Sequence, residues 1–245
     1  MKILILAAGY GTRLAAIAKD TPKPLLPLNG KPMINFIIDE LSQIDGVSEY
    51  VIVTNNKFFG HFQKWQGEQG ALKDKIRIIN DGTNSNEDRL GSVGDMNFVW
   101  EKEKIQDDWL VVGGDNLFDF DLTAYMKLAR AKTPAVTVGV YDIKDISQAP
   151  KFGIVLLDKN AKIISFEEKP AKPRSTLVVM CFYYFPKETI GFIGHYLKES
   201  GSADAAGGYI KWLSENKEVY GFQFEGTWYD IGSVESYYDA QKRFH

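Results

Sequence analysis

Two positively charged side chains follow a glycine-rich turn near the start of the chain. The turn is the stretch "LAAGYGTRL", in which Arg13 comes directly after the second glycine, and Lys23 follows in "TPKP". Prolines on both sides of Lys23 are expected to hold its backbone extended and out of a helix. Two cations beside a loop rich in backbone N–H groups describe a site for a triphosphate.

Other phosphate-binding turns match this stretch less well. A dinucleotide fold has the pattern Gly-x-Gly-x-x-Gly, but Leu14 occupies the third glycine position here. The phosphate loop of ATPases has the pattern Gly-x-x-x-x-Gly-Lys-Ser/Thr, and the spacing in this chain differs from it. A tight turn without any ligand would account for the two glycines, but it would leave the two cations unexplained.

An acidic residue follows a second apolar segment. The stretch "WLVVGGDN" predicts a buried strand, so that Asp115 stands at the end of it, where a lone carboxylate is costly unless it meets a cation. The three histidines, His61, His195 and His245, lie far apart in the chain without the spacing of a zinc site or of a Ser/His/Asp arrangement. Any metal is therefore expected to be held by oxygen ligands.

Composition limits the classes of protein to which such a site could belong. The chain has 245 residues, 44% of them hydrophobic, which is enough for one domain spanning 1–245. Its 29 basic and 32 acidic residues leave no basic surplus, so we expect no nucleic acid partner. No apolar run approaches the roughly 20 residues that cross a bilayer, and "MKILILAAG" is too short for a secretory signal, so we expect a cytoplasmic protein without a membrane partner. The single Cys181, in "LVVMCFYYF", is expected to be a buried strand residue and not a nucleophile.

Alternating strand-like and helix-like segments separate these residues in the first half of the chain. Strands are predicted at "KILILA", "EYVIVTNN", "KIRIIND" and "WLVVGGDN", with helices between them at "GKPMINFIIDELSQIDG" and "FGHFQKWQ". Such alternation predicts an α/β fold with a parallel sheet, whose ligands bind beyond the carboxyl ends of the strands.

The pattern changes after "GGDN". A helix is predicted at "DLTAYMKLARA" with Asp121 as its cap, and strands at "AVTVGVYDI", "FGIVLLD", "KIISFEEKP" and "LVVMCFYYF". We expect these strands to form a partly antiparallel layer, so that the two halves of the chain are lobes of one domain with a cleft between them. A last helix is predicted at "SVESYYDAQKRF", with Ser233 as its cap.

Five motifs occur in a characteristic order: "LAAGYGTRL" with "TPKPLLPLNGKPMI", then "RLGSVGD", "GGDN", "FEEKP" and "GTWYDIG". Together they resemble the signature of the sugar-phosphate nucleotidylyltransferases, or nucleoside-diphosphate-sugar pyrophosphorylases, among them the glucose-1-phosphate thymidylyltransferases. The resemblance extends from Met1 to about Gln241. It implies a Rossmann-like, mixed but mainly parallel sheet flanked by helices, the GT-A-like nucleotidyltransferase fold. The nucleotide-binding half would be about 1–115, and a smaller sugar-binding lobe about 116–245.

The resemblance implies that a phosphate oxygen of a sugar 1-phosphate attacks the α-phosphorus of a nucleoside triphosphate and releases pyrophosphate. The attacking phosphate is already anionic near neutral pH, so such a reaction needs positioning and charge neutralisation more than a base. Arg13 would bind the β- and γ-phosphates, and Lys23 would lie between the α-phosphate and the sugar phosphate. Asp115, the third expected catalytic residue, would hold Mg²⁺ together with Asp230, the phosphate oxygens and water.

The nucleotide is expected to contact small residues, because a planar base needs close approach to the backbone. The implied contacts are Leu6, Ala7, Ala8, Gly9, Gly11, Thr12, Arg13, Asp81, Gly91 and Gly114. The stretch "INDGTNSNEDRLGSVGD", which includes Asn80 and Thr83, replaces the Gln and the Pro-x-Gly-Leu run of the thymidylyltransferases. The base is therefore open. dTTP or UTP with a hexose 1-phosphate is expected first, with CTP or GTP as the alternatives.

The resemblance also implies a set of sugar-phosphate contacts, namely Asn116, Gly153, Glu168, Lys169 and Asp204. Lys169, in "FEEKP", would bind the sugar phosphate from the second lobe, and Glu168 would accept a hydrogen bond from a sugar hydroxyl. The adjacent Glu167 is expected to be solvated, since successive strand residues face opposite ways.

Two other functions are considered beside this one. Asp119 and Asp121 form an Asp-x-Asp, the metal motif of many nucleotide-sugar glycosyltransferases with a related sheet, but a helix cap explains the triplet as well and Arg13 would be left without a role. A non-catalytic binding protein on the same fold would not need Asp115 or Lys23. Larger relatives carry additional C-terminal parts, whose expected absence predicts a single-function enzyme, and an exposed face would still allow a homodimer.

Overall fold

The computed structural model describes residues 1–18, 20–103 and 106–244, and its centre is a nine-stranded mixed sheet. The strands are β1 Lys2–Leu6, β2 Pro27–Leu28, β3 Lys31–Pro32, β4 Glu49–Thr54, β5 Ile76–Asn80, β6 Trp109–Gly113, β7 Asn116–Phe118, β8 Val136–Asp142, β9 Gly153–Leu157, β10 Ile163–Glu168, β11 Leu177–Phe185, β12 Val219–Phe224 and β13 Trp228–Asp230. The helices are α1 Ala15–Ala18, α2 Met33–Leu41, α3 Phe59–Gly67, α4 Gly91–Lys102, α5 Leu122–Lys132, α6 Phe192–Ser200, α7 Ala206–Asn216 and α8 Val234–Gln241. Within these residues, no helix combines the length and the apolar character that crossing a membrane requires.

The first half of the chain forms the parallel part of the sheet. Strands β6, β1, β4 and β5 pair side by side in that order, each pair parallel. Their apolar runs suit a sheet covered on both faces, because parallel strands are joined by helices that pack over them. Strand β1 lies in the middle of this part, so its carboxyl end meets the ends of its neighbours at one edge.

Alternate strand residues supply two hydrophobic cores, one on each face of the sheet. In β1, Ile3 and Ile5 belong to one core and Leu4 to the other, and all three are fully buried. Helix α2 contributes Met33 and Ile37 to the first core, and α7 contributes residues such as Ile210 to the second. The β1 segment is therefore held from both sides, which gives the turn that follows it a rigid base.

The second half of the chain continues the same sheet with antiparallel pairs. Strand β11 joins β6 antiparallel and also pairs with β8 and β9, while β10 pairs with β9 and β12 runs parallel to β8. The short strands β7 and β13 form a separate antiparallel pair, in which Asp230 lies opposite Asn116. A mixed sheet with a parallel first half and helices on both faces confirms the predicted fold class.

Most predicted elements are present, and four of the described helices were not predicted, among them the short α1. Asp121 caps α5 by accepting a hydrogen bond from the Thr123 N–H at 2.8 Å, and Ser233 caps α8 in a capping box, both as predicted. The stretch "RLGSVGD", which we interpreted only as a glycine-rich segment, begins helix α4 at Gly91. Helices α6 and α7 were also missed.

The prediction of an extended backbone around Lys23 was wrong in one respect. Pro22 is extended, with φ −64° and ψ 142°, but Lys23–Leu25 form a 3₁₀ turn. The ring of Pro24 locks φ near the value that the first turn of a helix requires, so a proline at this place is compatible with such a turn.

Candidate active site

Two adjoining cavities open near the carboxyl ends of β1 and β6. The larger has a volume of about 1010 Å³, and the smaller has about 260 Å³. Ser92 and Cys181 line both of them. Ligands of open α/β sheets bind at this edge, so the position agrees with the one predicted from the strand and helix pattern.

The glycine turn after β1 is held by polar contacts at its start. The buried Asn55 side chain donates to the Ala8 carbonyl oxygen at 2.9 Å, and the Ala7 N–H donates to the Val53 oxygen at 2.9 Å. Gly11 has φ 64°, a left-handed conformation that a side chain would disfavour. The turn therefore leads into the 3₁₀ segment Thr12–Leu14 in a defined direction.

Arg13 reaches the larger cavity from that segment. Its neighbour Leu14 is fully buried in the core, whereas Arg13 is exposed and lines the cavity beside the backbone of Gly232. Among the described residues, no hydrogen bond or ion pair engages its guanidinium. A cation without a protein partner, facing a cavity, is available to an anionic ligand.

Lys23 and Asp115 form an ion pair at the junction of the two halves. Lys23 Nζ lies 2.7 Å from Asp115 Oδ2, and the Asn116 amide donates to Asp115 Oδ1 at 3.0 Å. Burial by itself would raise the pKa of Asp115, but the Lys23 ammonium and these hydrogen bonds outweigh it and lower the pKa below its usual value. Asp115 is therefore a carboxylate at neutral pH, and it lines the smaller cavity.

Asp230 is brought to this pair by the β7–β13 ribbon. The Ile231 N–H donates to the Asp115 backbone oxygen at 2.9 Å, so the two acidic residues lie side by side. Enclosure by the surrounding protein and repulsion from Asp115 raise the pKa of Asp230 to about 6, although Lys23, Arg13 and Lys169 partly oppose the rise. Two carboxylates so close to one ammonium form a site that a further cation would stabilise.

The donor set here fits a divalent cation that is also bound by substrate. Within the described residues, no group of three or more His, Cys, Asp or Glu side chains could hold a metal by itself. Asp115 and Asp230 supply two carboxylates, and Mg²⁺ is commonly bound by one or two carboxylates together with phosphate oxygens and water. The residues present therefore fit Mg²⁺ as it would bind with a nucleotide.

The larger cavity contains the residues predicted to bind the sugar phosphate, except one. Asn116, Gly153, Glu168 and Lys169 line it, together with Arg13 and Asp230, for which other roles were predicted. Asp204 instead lines the smaller cavity, where it forms a two-point interaction with Arg89, with both N–O distances 3.2 Å. Asp204 was predicted to contact the sugar phosphate, but it lies at the other cavity, because the Ser92 N–H donates to its backbone oxygen at 2.8 Å.

Glu168 is seated between two glycines. A methyl group at Gly207 would lie 2.2 Å from Glu168 Oε2, and one at Gly153 would lie 3.0 Å from it. That oxygen is buried and has no hydrogen-bond partner among the described residues, while Oε1 lies 3.8 Å from Lys169 Nζ. A buried acceptor without a partner is costly unless a ligand supplies a donor, which a sugar hydroxyl would do.

An aromatic wall of the larger cavity was not predicted. The Trp228 ring lies 5.5 Å from that of Tyr141 and 5.6 Å from that of Phe152, centroid to centroid. The indole N–H of Trp228 donates to Asn116 Oδ1 at 2.9 Å, which orients the Asn116 amide toward Asp115. The tryptophan of "GTWYDIG" was the available sequence signal for this aromatic wall, but the rings that contact it come from distant parts of the chain.

The smaller cavity is lined by about half of the predicted nucleotide contacts. These are Leu6, Ala8, Gly9, Asp81 and Gly91. Ala7 instead packs in the hydrophobic core, since successive residues after a strand alternate in direction, and Gly11, Thr12 and Gly114 are outside the lining of both cavities. Gly114 has a packing role, because a methyl group there would lie 2.8 Å from the Leu6 oxygen.

Asp95, on α4, is a further cavity residue that sequence reasoning missed. It is 5% exposed and lines the smaller cavity together with Asp81. Burial and the charge of the nearby Asp81 carboxylate raise the pKa of Asp95 to about 8. The aspartate that ends "GSVGD" was the available signal, but only the helix brings it beside Asp81.

Replacing Asp95 by Asn is expected to stabilise the fold at neutral pH. The folded chain holds the Asp95 proton up to a pH of about 8, whereas the unfolded chain releases it near 3.8. The free energy of unfolding therefore falls as pH rises between these values and is not affected by this group below them. Asn removes that loss, so we expect a gain of roughly 1–3 kcal/mol at pH 8 and almost none near pH 4, measured by urea unfolding of both proteins. An equal difference at both pH values would contradict the assignment.

Three further predicted roles concern residues near these cavities. Cys181 lies in β11 as predicted but is half-buried, and burial with the nearby Asp115 carboxylate raises the pKa of its thiol, which disfavours a nucleophile. Glu167 faces away from Glu168 and pairs with Arg174 instead of being simply solvated. Asp119 accepts a hydrogen bond from the Thr227 N–H at 2.6 Å, and like Asp121 it lines neither cavity, which removes support for the glycosyltransferase alternative.

Comparisons with known proteins agree with these motifs. A family model described as nucleotidyl transferase matches residues 2–245. The chain is 28% identical, over 99% of its length, to the bifunctional protein GlmU of Methanocaldococcus jannaschii, and covers 54% of that protein. It is 32% identical over 98% of its length to a UTP–glucose-1-phosphate uridylyltransferase of Synechocystis, and 25% identical over 97% to a glucose-1-phosphate adenylyltransferase of Fusobacterium nucleatum, covering 62% and 65% of them. The chain thus spans about half to two thirds of the length of these curated relatives.

Solved structures show the same fold. A Bacillus anthracis protein described as a glucose-1-phosphate thymidylyltransferase, in complex with sucrose, superposes with a TM-score of 0.81 at 25% identity, covering 99% of this chain and 94% of that one. A UDP-glucose pyrophosphorylase complexed with UDP-glucose gives a TM-score of 0.81 at 21% identity, covering 98% of this chain and 97% of that one. The second likeness is one of fold alone.

Proposed function

Because this chain belongs to the nucleotidyl transferase family, we propose that it joins a nucleoside triphosphate to a sugar 1-phosphate and releases pyrophosphate. The observation that carries the proposal is the cluster of Lys23, Asp115 and Asp230. Asp115 lines the smaller cavity and Asp230 the larger one, and Lys23, which lines neither, pairs with Asp115 at 2.7 Å. A nucleotide in the smaller cavity and a sugar phosphate in the larger one would meet at this cluster.

In this proposal, the protein contributes positioning and charge. Lys23 binds the α-phosphate and reduces the repulsion between it and the incoming sugar phosphate, so that the attacking oxygen can reach the α-phosphorus in line with the departing group. Arg13, whose guanidinium is free among the described residues, binds the pyrophosphate, on which negative charge grows as the bond breaks. No proton-transfer base is needed, since the attacking phosphate is already anionic.

Asp115 and Asp230 are proposed to hold Mg²⁺, which would neutralise phosphate charge when it is bound with the triphosphate. The lowered pKa of Asp115 keeps this carboxylate ionised, as a metal ligand must be. Asp115 also pairs with Lys23, so a cation held by this carboxylate would compete with the ammonium and leave it available to the phosphates.

A substrate matrix tests the proposed reaction. Purified protein with Mg²⁺ is incubated with each of ATP, CTP, GTP, UTP and dTTP against several hexose 1-phosphates, and pyrophosphate release is followed with a coupled assay. We expect release with at least one pair, and none when either substrate is omitted. Absence of pyrophosphate over the whole matrix, with a folded protein, would reject the proposed function.

Replacing Glu168 by Gln is expected to weaken use of the sugar phosphate. The buried Glu168 Oε2 is the acceptor for a sugar hydroxyl in this proposal, and a neutral amide accepts less strongly and can turn its N–H₂ group inward. We expect kcat/KM for the sugar 1-phosphate to fall about 10- to 100-fold, with KM for the triphosphate little changed. The matched control is Glu167→Gln, the adjacent residue that faces Arg174, which should stay near the parent value. Equal effects of the two substitutions would contradict the role of Glu168.

A further inference from the structure

The loop that carries Lys23 forms one hydrogen-bonded unit with the hairpin that follows it. The Leu26 N–H donates to the Lys23 oxygen at 3.0 Å and closes the 3₁₀ turn, and the Leu26 oxygen accepts from the Met33 N–H at 3.0 Å. Strands β2 and β3 pair between these bonds through a tight turn at Asn29 and Gly30, whose φ values of 47° and 89° are both positive. Lys23 therefore moves together with the tip of this hairpin.

The end of the chain holds the tip of the hairpin. The Asn29 amide donates to the backbone oxygens of Gln241 at 2.7 Å and of Phe244 at 2.8 Å, and the Tyr237 hydroxyl donates to the Pro27 oxygen. Asn29 and Gln241 are 212 residues apart in the chain, so only the fold brings these partners together. We call Tyr237, Gln241 and Phe244 the C-terminal clamp.

Aromatic contacts fix the clamp against the rest of the molecule. The Phe244 side chain is buried, and its ring meets that of Phe36 on α2 and that of Tyr229 edge to face, with centroids 5.9 Å and 6.1 Å apart. Tyr229 directly precedes Asp230 in β13. The clamp thus contacts both the hairpin that follows Lys23 and the strand that carries the second proposed metal ligand.

Helix α8 connects this clamp with the proposed site. Its capping residue Ser233 follows Gly232, where a methyl group would lie 3.5 Å from a guanidinium nitrogen of Arg13. The helix therefore begins beside Arg13 and Asp230 and ends at the hairpin tip. A short helix is stiff along its axis, so it fixes the distance between these two places.

Lys23 depends on such support because of its side chain. Its ammonium lies at the end of a flexible four-carbon stem, and the position of the stem follows that of the backbone. Leu26 and Leu28 anchor the loop in the hydrophobic core, but apolar contacts are non-directional. The three hydrogen bonds between the clamp and the hairpin add the directional restraint that these contacts lack.

We propose that the C-terminal clamp positions Lys23 for the chemical step. This inference rests on the proposed function, because it takes Lys23 to act between the two phosphates. The three clamp residues and Asn29 all lie outside the described lining of both cavities, so they are positioning residues and not catalytic ones. A displacement of about 1 Å, caused far from the chemistry, can lower a rate by about 10²-fold.

Removing the clamp contacts is expected to lower kcat and to leave both KM values nearly unchanged. In Asn29→Gly/Tyr237→Phe, glycine accepts the left-handed turn and phenylalanine keeps the ring, while the three described hydrogen bonds are lost. We expect kcat for pyrophosphate release to fall about 10-fold and each KM to change by less than about 2-fold, because most substrate contacts lie in the cavities. Steady-state rates are measured with the substrate pair that the matrix identifies, and circular dichroism checks the fold.

The matched control is Tyr125→Phe. It removes a hydroxyl that donates to the Thr137 backbone oxygen at 2.9 Å, in the core and outside the described lining of both cavities. We expect it to lower the free energy of unfolding in urea and to keep kcat. If the clamp variant shows this same pattern, the clamp has a structural role alone and the proposal is overturned.

A double-mutant cycle tests whether the clamp acts through Lys23. Lys23→Arg keeps the charge but not the placement of the ammonium, so the clamp has no correctly placed group left to maintain. We expect the clamp substitutions to cost less than about 2-fold in this background, against about 10-fold in the parent. Single-turnover sampling over hours keeps low rates measurable. An equal loss in both backgrounds means that the clamp acts through another group, which overturns the proposal.

The remaining outcomes separate this inference from the proposed function. If the clamp variant does not fold, Tyr237→Phe alone decides the question, with an expected fall in kcat of about 3-fold and an unchanged kcat as the contrary result. A parent protein that releases pyrophosphate, with a folded clamp variant that matches its kcat, overturns the inference alone. A folded parent protein that releases none over the whole matrix rejects the proposed function and the inference with it.

Discussion

Replacing Asp115 by Asn is expected to lower kcat for pyrophosphate release by about 10³-fold or more, with the fold retained. The carboxylate is paired with Lys23 at 2.7 Å and lies beside Asp230, so its charge sets the position of the ammonium and supplies half of the proposed metal site. An amide of the same size still accepts hydrogen bonds but carries no charge, and a Mg²⁺ site with one carboxylate is weaker. Initial rates are measured over a range of Mg²⁺ concentrations, and circular dichroism checks the fold.

The matched control for Asp115 is Asp239→Asn. Asp239, in α8, has a half-exposed side chain that pairs with Lys242 at 2.7 Å, and ion pairs so close to solvent contribute little. The control should keep the parent rate, while the Asp115 variant should need more Mg²⁺ for any residual turnover. Activity near the parent level in Asp115→Asn would contradict the proposed role of this residue in metal binding.

Replacing Arg13 by Lys is expected to lower kcat by about 10²-fold, and replacing it by Ala by about 10³-fold. The positive charge survives in the first variant, but the planar fork that can hold two phosphate oxygens at once does not. Arg13 lies in a 3₁₀ segment whose backbone is anchored by the fully buried Leu14, so neither change is expected to disturb the turn. The effect should appear in single-turnover measurements, since it concerns charge that develops during the chemical step.

The control for Arg13 is Arg130→Lys. Arg130 donates to the Asp45 backbone oxygen at 2.9 Å and lines neither cavity. It should leave kcat and both KM values unchanged. If Arg13→Lys behaves like this control, the guanidinium has no part in binding the departing pyrophosphate.

Local patterns were enough for most of the fold. The apolar runs predicted the strands β1, β4 and β6, and the helical spacing of apolar residues predicted α2. Burial in a sheet, or of one helix face against a sheet, requires apolar residues at regular positions in the sequence. Helix α4 was missed because its start is rich in glycine, which lowers helix propensity, and the helix is instead stabilised by packing residues such as Val93 and Trp100 into a core. The antiparallel arrangement of β11 between β6 and β8 is likewise a property of long-range pairing.

The sequence alone determined which chemical groups the chain carries and at which strand ends and turns they occur. Arg13, Lys23 and Asp115 could be named in advance because a glycine turn and a strand end are local features. The contacts that give these groups their properties join residues far apart in the chain. Examples are the Lys23–Asp115 ion pair, the position of Glu168 between Gly153 and Gly207, and the closeness of the Asp81 and Asp95 carboxyl groups. Strand register and helix packing set these distances, and the distances in turn set charge, pKa and hydrogen-bond direction, so these properties belong to the folded chain and not to any segment of it.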